Sequence, residues 1–174
     1  MTTGYAEQPF GLRDLKLTNA AGTVQVDLPR GRVFKFTPRV ISEEIPSYTG
    51  LDAVGYLEGA DWELEAGGIS LEAWALLAGH TAAQSGSTPN RSYTVTGRFG
   101  EALPWFRCYG KAVTDDGGDV HVRLPRCKVV GAVEGQLADG EFWVTKCKGI
   151  AVDDGTNGVF VMVLNETATA LPGA

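Results

Sequence analysis

The side chains able to do chemistry gather around two similar stretches. "RCYGKAVTDDGGDVHV" runs from Arg107 to Val122, and "KCKGIAVDDGTNGVFV" from Lys146 to Val161. A basic residue, Cys, Gly and Ala-Val recur in register as Cys108/Cys147, Gly110/Gly149, Ala112/Ala151 and Val113/Val152. An Asp-Asp-Gly cluster and a valine-rich strand follow each. A thiolate nucleophile, a zinc site and a calcium loop are the chemistries these types could supply. A thiolate needs a neighbouring base or cation to lower its pKa, and nothing in the sequence aims either histidine, His80 or His121, at a sulfur. Zinc needs paired ligands at short spacing. Cys108, Cys127 and Cys147 have no CxxC pattern and no histidine at finger spacing.

The calcium reading fails on ligand positions. "DDGTNG", residues 153–158, half-matches a loop of the form D-x-[DN]-x-[DN]-G. Gly155 stands where a ligand is required, and the twelfth position is Leu164 rather than a bidentate Glu. Asp and Gly are also what tight turns use, so Asp153–Gly158 reads as a turn. The carboxylate pairs Glu43-Glu44, Asp115-Asp116 and Asp153-Asp154 are adjacent in sequence, and neighbours on a strand face opposite ways, which makes them poor acid–base partners. Nucleophile-elbow, phosphate-loop and dinucleotide signatures are lacking. The four tryptophans, Trp62, Trp74, Trp105 and Trp143, read as core or subunit contacts. The expectation is a protein that is not an enzyme and carries no cofactor or metal.

What positions these residues is mostly β-structure. "LRDLKLT" (12–18) and "TVQVDL" (23–28) alternate around an Asn-Ala-Ala-Gly turn and read as a hairpin. In "GRVFKFTPRVISEEI" (31–45), Val33, Lys35 and Thr37 share one face and Phe34 and Phe36 the other. Pro38 makes it an edge or bulged strand, because proline cannot donate to a ladder. "EEIPSYTGLDAVGY" (43–56) reads as a long loop or projecting hairpin tip, "ADWELEA" (60–66) as a strand, and "TAAQSGSTPNRS" (81–92) as a polar loop. Strands are expected again over 92–99, 104–114, 119–130, 141–152 and 158–165, with a tight turn at Asp139-Gly140. The two Cys-Gly-Ala-Val stretches therefore read as two hairpins of one design.

One segment breaks the β pattern. In "GGISLEAWALLAGH" (67–80), Leu71, Trp74, Ala75 and Ala78 fall at the spacing of a single buried helix stripe. Ser70 is placed to cap the free amides of the first turn. Glu72 suits the positive end of the helix dipole, and Gly79 the left-handed residue that closes a helix.

Length and composition bound the class. A chain of 174 residues is one domain by size, able to bury roughly two-thirds of its unfolded surface. Hydrophobic residues make up 44% and charged residues 21%, as in globular proteins, and 23 glycines suit many turns. A net charge of -6 argues against a grip on duplex phosphates. No apolar run of about 18 residues is present to span a membrane. The first residues lack the basic start and apolar core of a signal peptide, and three cysteines suit a reducing compartment. The expectation is a protein made and assembled in a cytoplasm.

The order of elements resembles the tail tube proteins of tailed bacteriophages. The residues that carry the resemblance are "DWELEAGG" leading into "EAWALLAG", the acidic stretch before them, and the hairpin-rich end "KGIAVDDGTNGVFVMVLNET", so that it spans about Gly11 to Thr167. It implies two packed antiparallel sheets, a sandwich or barrel-like core, flanked by one helix. It also implies a structural virion protein whose hexameric rings stack into a tube around a tape measure protein. A tail terminator and distal tail or baseplate proteins would meet its ends, and DNA would pass through the lumen without specific binding. A terminator or connector and the inner tube of a contractile injection system share the general fold. Outside this class stands a β-sandwich module binding carbohydrate or a cell surface.

A ring needs edge strands to pair with the next copy, and loops or termini to grip the ring beside it. The expected contacts are an N-terminal arm, residues 1–10 with Tyr5 and Phe10, the stretch 43–56 with Glu43, Glu44, Ile45, Pro46 and Tyr48, and a tail, 166–174.

Overall fold

The computed structural model describes residues 9–28, 30–47, 50–68, 70–135, 139 and 143–172; the side chains of 44–53 also lie outside what is described. The first hairpin is formed by β1 (Pro9–Asn19) and β2 (Gln25–Asp27), with Leu17 opposite Val26. Its turn is locked by Asn19, whose Oδ1 accepts from the amides of Thr23 at 2.8 Å and Val24 at 3.1 Å. A side-chain amide here imitates a backbone turn.

The remaining long strands are β3 (Gly31–Ser47), β4 (Gly50–Gly67), β7 (Phe106–Thr114), β8 (Asp119–Val129), β10 (Val144–Ala151) and β11 (Val161–Asn165). Between them lie α1 (Leu71–Ala78), a small separate hairpin of β5 (Thr81–Ser85) and β6 (Ser92–Thr96), and the short β9 (Glu134–Gly135). The main sheet is antiparallel in the order β2-β1-β7-β8-β10-β4-β3, with β9 added on β10 and β11 on β8. It curls until its two halves face each other. Trp62 of β4 meets Phe106 of β7 edge-on, ring centroids 5.5 Å apart, and Phe34 of β3 lies against Gly110 of β7. The fold is therefore mainly β and sandwich-like, with one helix, as expected. Leu15, Leu17, Trp62, Leu64, Phe106 and Leu124 form the middle of the core.

The segment 81–92 is not simply a loop, because residues 81–85 pair with 92–96. The two Cys-Gly-Ala-Val stretches also differ from expectation. The first is a hairpin, β7 turning into β8 with Val113 opposite Asp119. The second is not. β10 and β11 both run antiparallel to β8, β10 against Cys127–Val129 and β11 against Asp119–Arg123. They are two pieces of one interrupted strand, and 153–160 loops out between them. The change of partner falls at Pro125, which has no amide to donate and sits where the β7–β8 register shifts.

The helix forms where expected, but its phase is different. Ser70 caps it, Oγ accepting from the Ala73 amide at 3.2 Å, and Gly79 closes it at φ 72°. The core-facing residues are Ala73, Leu76 and Leu77, whereas Leu71, Trp74 and Ala75 are only half-buried; Ala78 is buried as expected. Seven of the eight helical residues are apolar, so periodicity could not choose between stripes. Trp74 packs at the rim, its ring 6.3 Å from that of Trp143 and its Nε1 donating to Thr145 Oγ1 at 3.4 Å. Leu77→Ala, at a fully buried position, is expected to cost about 3 kcal/mol. Trp74→Ala should cost about 2 kcal/mol, roughly half the usual loss for a buried aromatic. Urea titrations of both variants check this, and a larger loss at Trp74 would put the helix in the phase first expected.

Candidate assembly surface

Strands β3 and β4 pair without a break from Arg39↔Gly59 out to Ser47↔Gly50, apart from one bulge between Arg39 and Val40. β10 supports β4 only over Ala60–Gly67. Beyond that point no other described strand pairs with either, and the two form a ribbon in which the pairs from Val40↔Leu57 to Ser47↔Gly50 reach roughly 25 Å at strand rise. The stretch 43–56 is thus the distal part of a long hairpin arm, which decides between the two alternatives left by the sequence. β3 is the terminal strand of the sheet, as Pro38 required.

The arm carries apolar side chains left largely open to solvent. Val40 and Tyr56 are each 58% exposed and Val54 53%, with Ile41 and Leu57 also exposed. Opposed residues share a face, and so do alternate residues along a strand. Ile41↔Tyr56 and Glu43↔Val54 therefore put three apolar groups and one carboxylate on the same side of the ribbon. At its root, Arg39 Nε lies 3.3 Å from Glu58 Oε2 and Nη2 lies 4.0 Å from Asp61 Oδ1. These exposed pairs steady the bulge and contribute at most about 1 kcal/mol.

The other expected contacts are scattered. Glu44, Ile45 and Pro46 fall in β3 by backbone, but their side chains, and all of Tyr48 and Tyr5, lie outside the described residues. Phe10 stands opposite Val113 at the start of β1 and is 87% exposed. It belongs to a strand rather than to a separate arm. Sequence reading missed Val40, Ile41, Val54, Tyr56 and Leu57, although their apolar types on an expected edge were the available signal.

A second feature lies on the outer face of the sheet, beside the root of the arm. The Trp105 ring is flanked by the Arg126 guanidinium at 4.6 Å and the Lys128 ammonium at 5.3 Å. Ile150 stands opposite Lys128 on β10, and the Val130 amide donates to the Lys148 carbonyl at 3.0 Å. Lys148, Ile150 and Val130 also line an open groove of about 290 Å³, together with Lys35, Asp61 and Glu63.

The candidate reactive groups are packed away. All three thiols are free and buried. Burial pushes their pKa values up, that of Cys147 to about 12, so no thiolate is poised. Asp153 and Asp154 make turn bonds. Asp153 Oδ1 accepts from the Gly155 amide at 2.6 Å and Asp154 Oδ1 from the Asn157 amide at 2.6 Å. Hydrogen bonds from Asn157 and Thr156 hold the Asp154 carboxyl down at about 2. Among the described residues no group of three or more His, Cys, Asp or Glu side chains could hold a metal, and no helix is long and apolar enough to cross a membrane.

A buried polar node was invisible to sequence. Asp119 is fully buried. Its Oδ1 accepts from Asn165 Nδ2 at 2.7 Å and its Oδ2 from the Thr169 amide at 2.6 Å. Lys111 Nζ lies 3.0 Å from Oδ2 and also donates to the Thr169 carbonyl. His121 Nε2 is 3.1 Å from Oδ2 without the alignment of a hydrogen bond. Burial pushes the carboxyl's pKa up, but the bonds from Asn165, Thr169 and Lys111, with the His121 ring nearby, outweigh it and hold it well below the usual range. The node fastens the C-terminal segment across β7 and β8, where Leu171 is buried too.

Asp119→Ala strands the Lys111 charge and should cost about 3 kcal/mol at pH 7, the low end for breaking a buried pair. A carboxyl with a depressed folded-state pKa stabilises above its unfolded value of about 3.9 and loses that contribution as pH falls further. The gap between wild type and variant should therefore narrow below about pH 4. Denaturant titrations at pH 7 and pH 2 check this, and an equal gap at both would show that the carboxylate's charge is not what matters.

A scan against protein-family models gives no match, and a search of curated proteins gives none either.

Proposed function

We propose that this chain is a structural virion protein whose copies form hexameric rings stacked into a phage tail tube, the conduit for genome delivery. The observation that carries the reading is the arm. A two-stranded ribbon is at best marginally stable alone in water, and exposed apolar edges invite pairing with another chain. An arm with both edges open and apolar groups on both faces is best explained by a second copy that covers it. A closed ring of like subunits uses the same patch on every copy without leaving an end.

The resemblance drawn from the order of elements supplies the rest: hexamers, a tape measure protein inside, a terminator and distal tail or baseplate proteins at the ends. The net charge of -6 suits a lumen past which DNA slides without sticking. Negative-stain images of the purified protein at high concentration test the reading. Long hollow tubes are expected. Single rings that never stack would instead select a terminator or connector, and isolated particles at every concentration would leave the arm to a different partner.

A further inference from the structure

The cations around Trp105 lack an acidic partner. Within 4 Å of a charged nitrogen of Arg126, Lys128 or Lys148 there is no carboxylate among the described residues, although Arg39, Arg32, Lys16 and Lys146 each have one. Of these three, Arg126 and Lys128 lie over the indole, whereas Lys148 stands in the neighbouring groove opposite Glu63 and beside Asp61. In a chain of net charge -6, the Arg126–Lys128 pair is a local reversal of sign. Apolar groups lie among them: Val130 is 49% exposed, and Ile150 is level with Lys128 on the neighbouring strand. The surface beside Trp105 therefore offers an apolar floor with a basic edge at Arg126 and Lys128. It fits a ligand that is apolar with an acidic margin.

The arm has that composition. One of its faces presents Ile41, Tyr56 and Val54 beside the exposed Glu43. Glu43 has no cationic partner among the described residues, whereas Glu58 at the arm's root is already matched to Arg39. We infer that the arm of one copy docks on the Trp105–Arg126–Lys128 surface of a second copy, with Glu43 meeting these two cations. This rests on the assembly reading above and adds the receptor to it. Opposite potentials of this kind fix register and speed encounter, and like charges brought together penalise wrong pairings. Tyr56 and Trp105 are the types that dominate interface energetics.

Charge exchange tests it. Glu43→Lys and Lys128→Glu are both surface changes, and each is expected to leave the far-UV spectrum and melting temperature unchanged. Each alone should raise the concentration needed for assembly at least about tenfold, a shift worth about 1.4 kcal/mol. A mixture of the two variants, or one chain carrying both, should recover assembly near the wild-type concentration. If wild type assembles and neither reversal matters, or the pair gives no recovery, the arm docks elsewhere while the assembly reading stands. A wild type that is monomeric at every concentration removes both. Retention of a short single-stranded DNA by wild type but not by Lys128→Glu, with assembly unaffected, would assign the surface to nucleic acid and overturn the docking.

Discussion

A chain in which residues 41–56 are replaced by Asn-Gly is expected to fold normally and never to assemble. Val40 and Leu57 are a paired position at the root of the ribbon, and Asn-Gly is the two-residue connection that antiparallel strands accept most readily. No described residue removed by this change belongs to the core cluster, and the supporting strand β10 ends its pairing at Ala60. The melting temperature should stay within about 4 °C of the full chain, a shift that corresponds to roughly 1 kcal/mol at this size. Assembly should be lost outright, because the exposed Ile41, Val54 and Tyr56 leave with the arm. Tubes of normal length formed by the shortened chain would move the contact to the termini or to the edge of β11, where Met162, Val163 and Leu164 are exposed.

The second large effect concerns the glycine shared by the two Cys-Gly-Ala-Val stretches. In each copy it seats an aromatic ring on a strand, Phe34 on Gly110 and Trp62 on Gly149. The two seats differ in what surrounds them. A Cβ at Gly149 would collide with the Lys128 carbonyl as well as the indole, and Trp62 is buried, with Nε1 donating to the Ile150 carbonyl at 3.0 Å. Neither neighbour can yield. Gly149→Val is expected to cost about 3 kcal/mol, the upper range for overpacking. At Gly110 only the Phe34 ring obstructs, and Phe34 is half-buried, so it can swing outward. Gly110→Val should cost about 1 kcal/mol. Denaturant midpoints of the two variants decide between them, and equal losses would show that the β8–β10 backbone gives way as readily as a side chain.

This contrast explains how far the sequence could be read. The recurrence of Cys-x-Gly-x-Ala-Val marks shared packing, and burial of Cys108 and Cys147 with their neighbouring glycines bears that out. It could not reveal that the second copy runs on beside β8 instead of folding back, because the choice is made by Pro125, on a different strand. Alternation exposed the strands, and Pro38 the sheet edge. It did not expose the length of the arm, since glycine, proline and acidic residues at 43–56 are as common in loops as in an unsupported ribbon. Ser70 and Gly79 placed the helix by local chemistry, while its phase depended on a core contributed by distant strands. Asp119 was unreadable for the same reason. Its partners Lys111, Asn165 and Thr169 come from three separate segments, and only the fold assembles them.

Of the candidate assembly surface, the sequence located the region and the charge of Glu43. Of the exposed apolar residues of the arm, Val40 and Ile41 were read as ordinary strand positions, and Val54 and Tyr56 as part of the loop or hairpin tip. The surface proposed to receive the arm was missed altogether, because Trp105, Arg126 and Lys128 are joined only across the β7–β8 ladder. Cation–aromatic contacts between strands leave no spacing signal along the chain.

Self-association carries the whole account, and sedimentation velocity of the purified wild-type chain over a wide concentration series measures it most directly. An 18.5 kDa protomer is expected at low concentration, giving way to a hexamer of six such masses and to much larger, tube-sized species as concentration rises. A single monomer boundary at all concentrations, under conditions where the chain is folded, would contradict it.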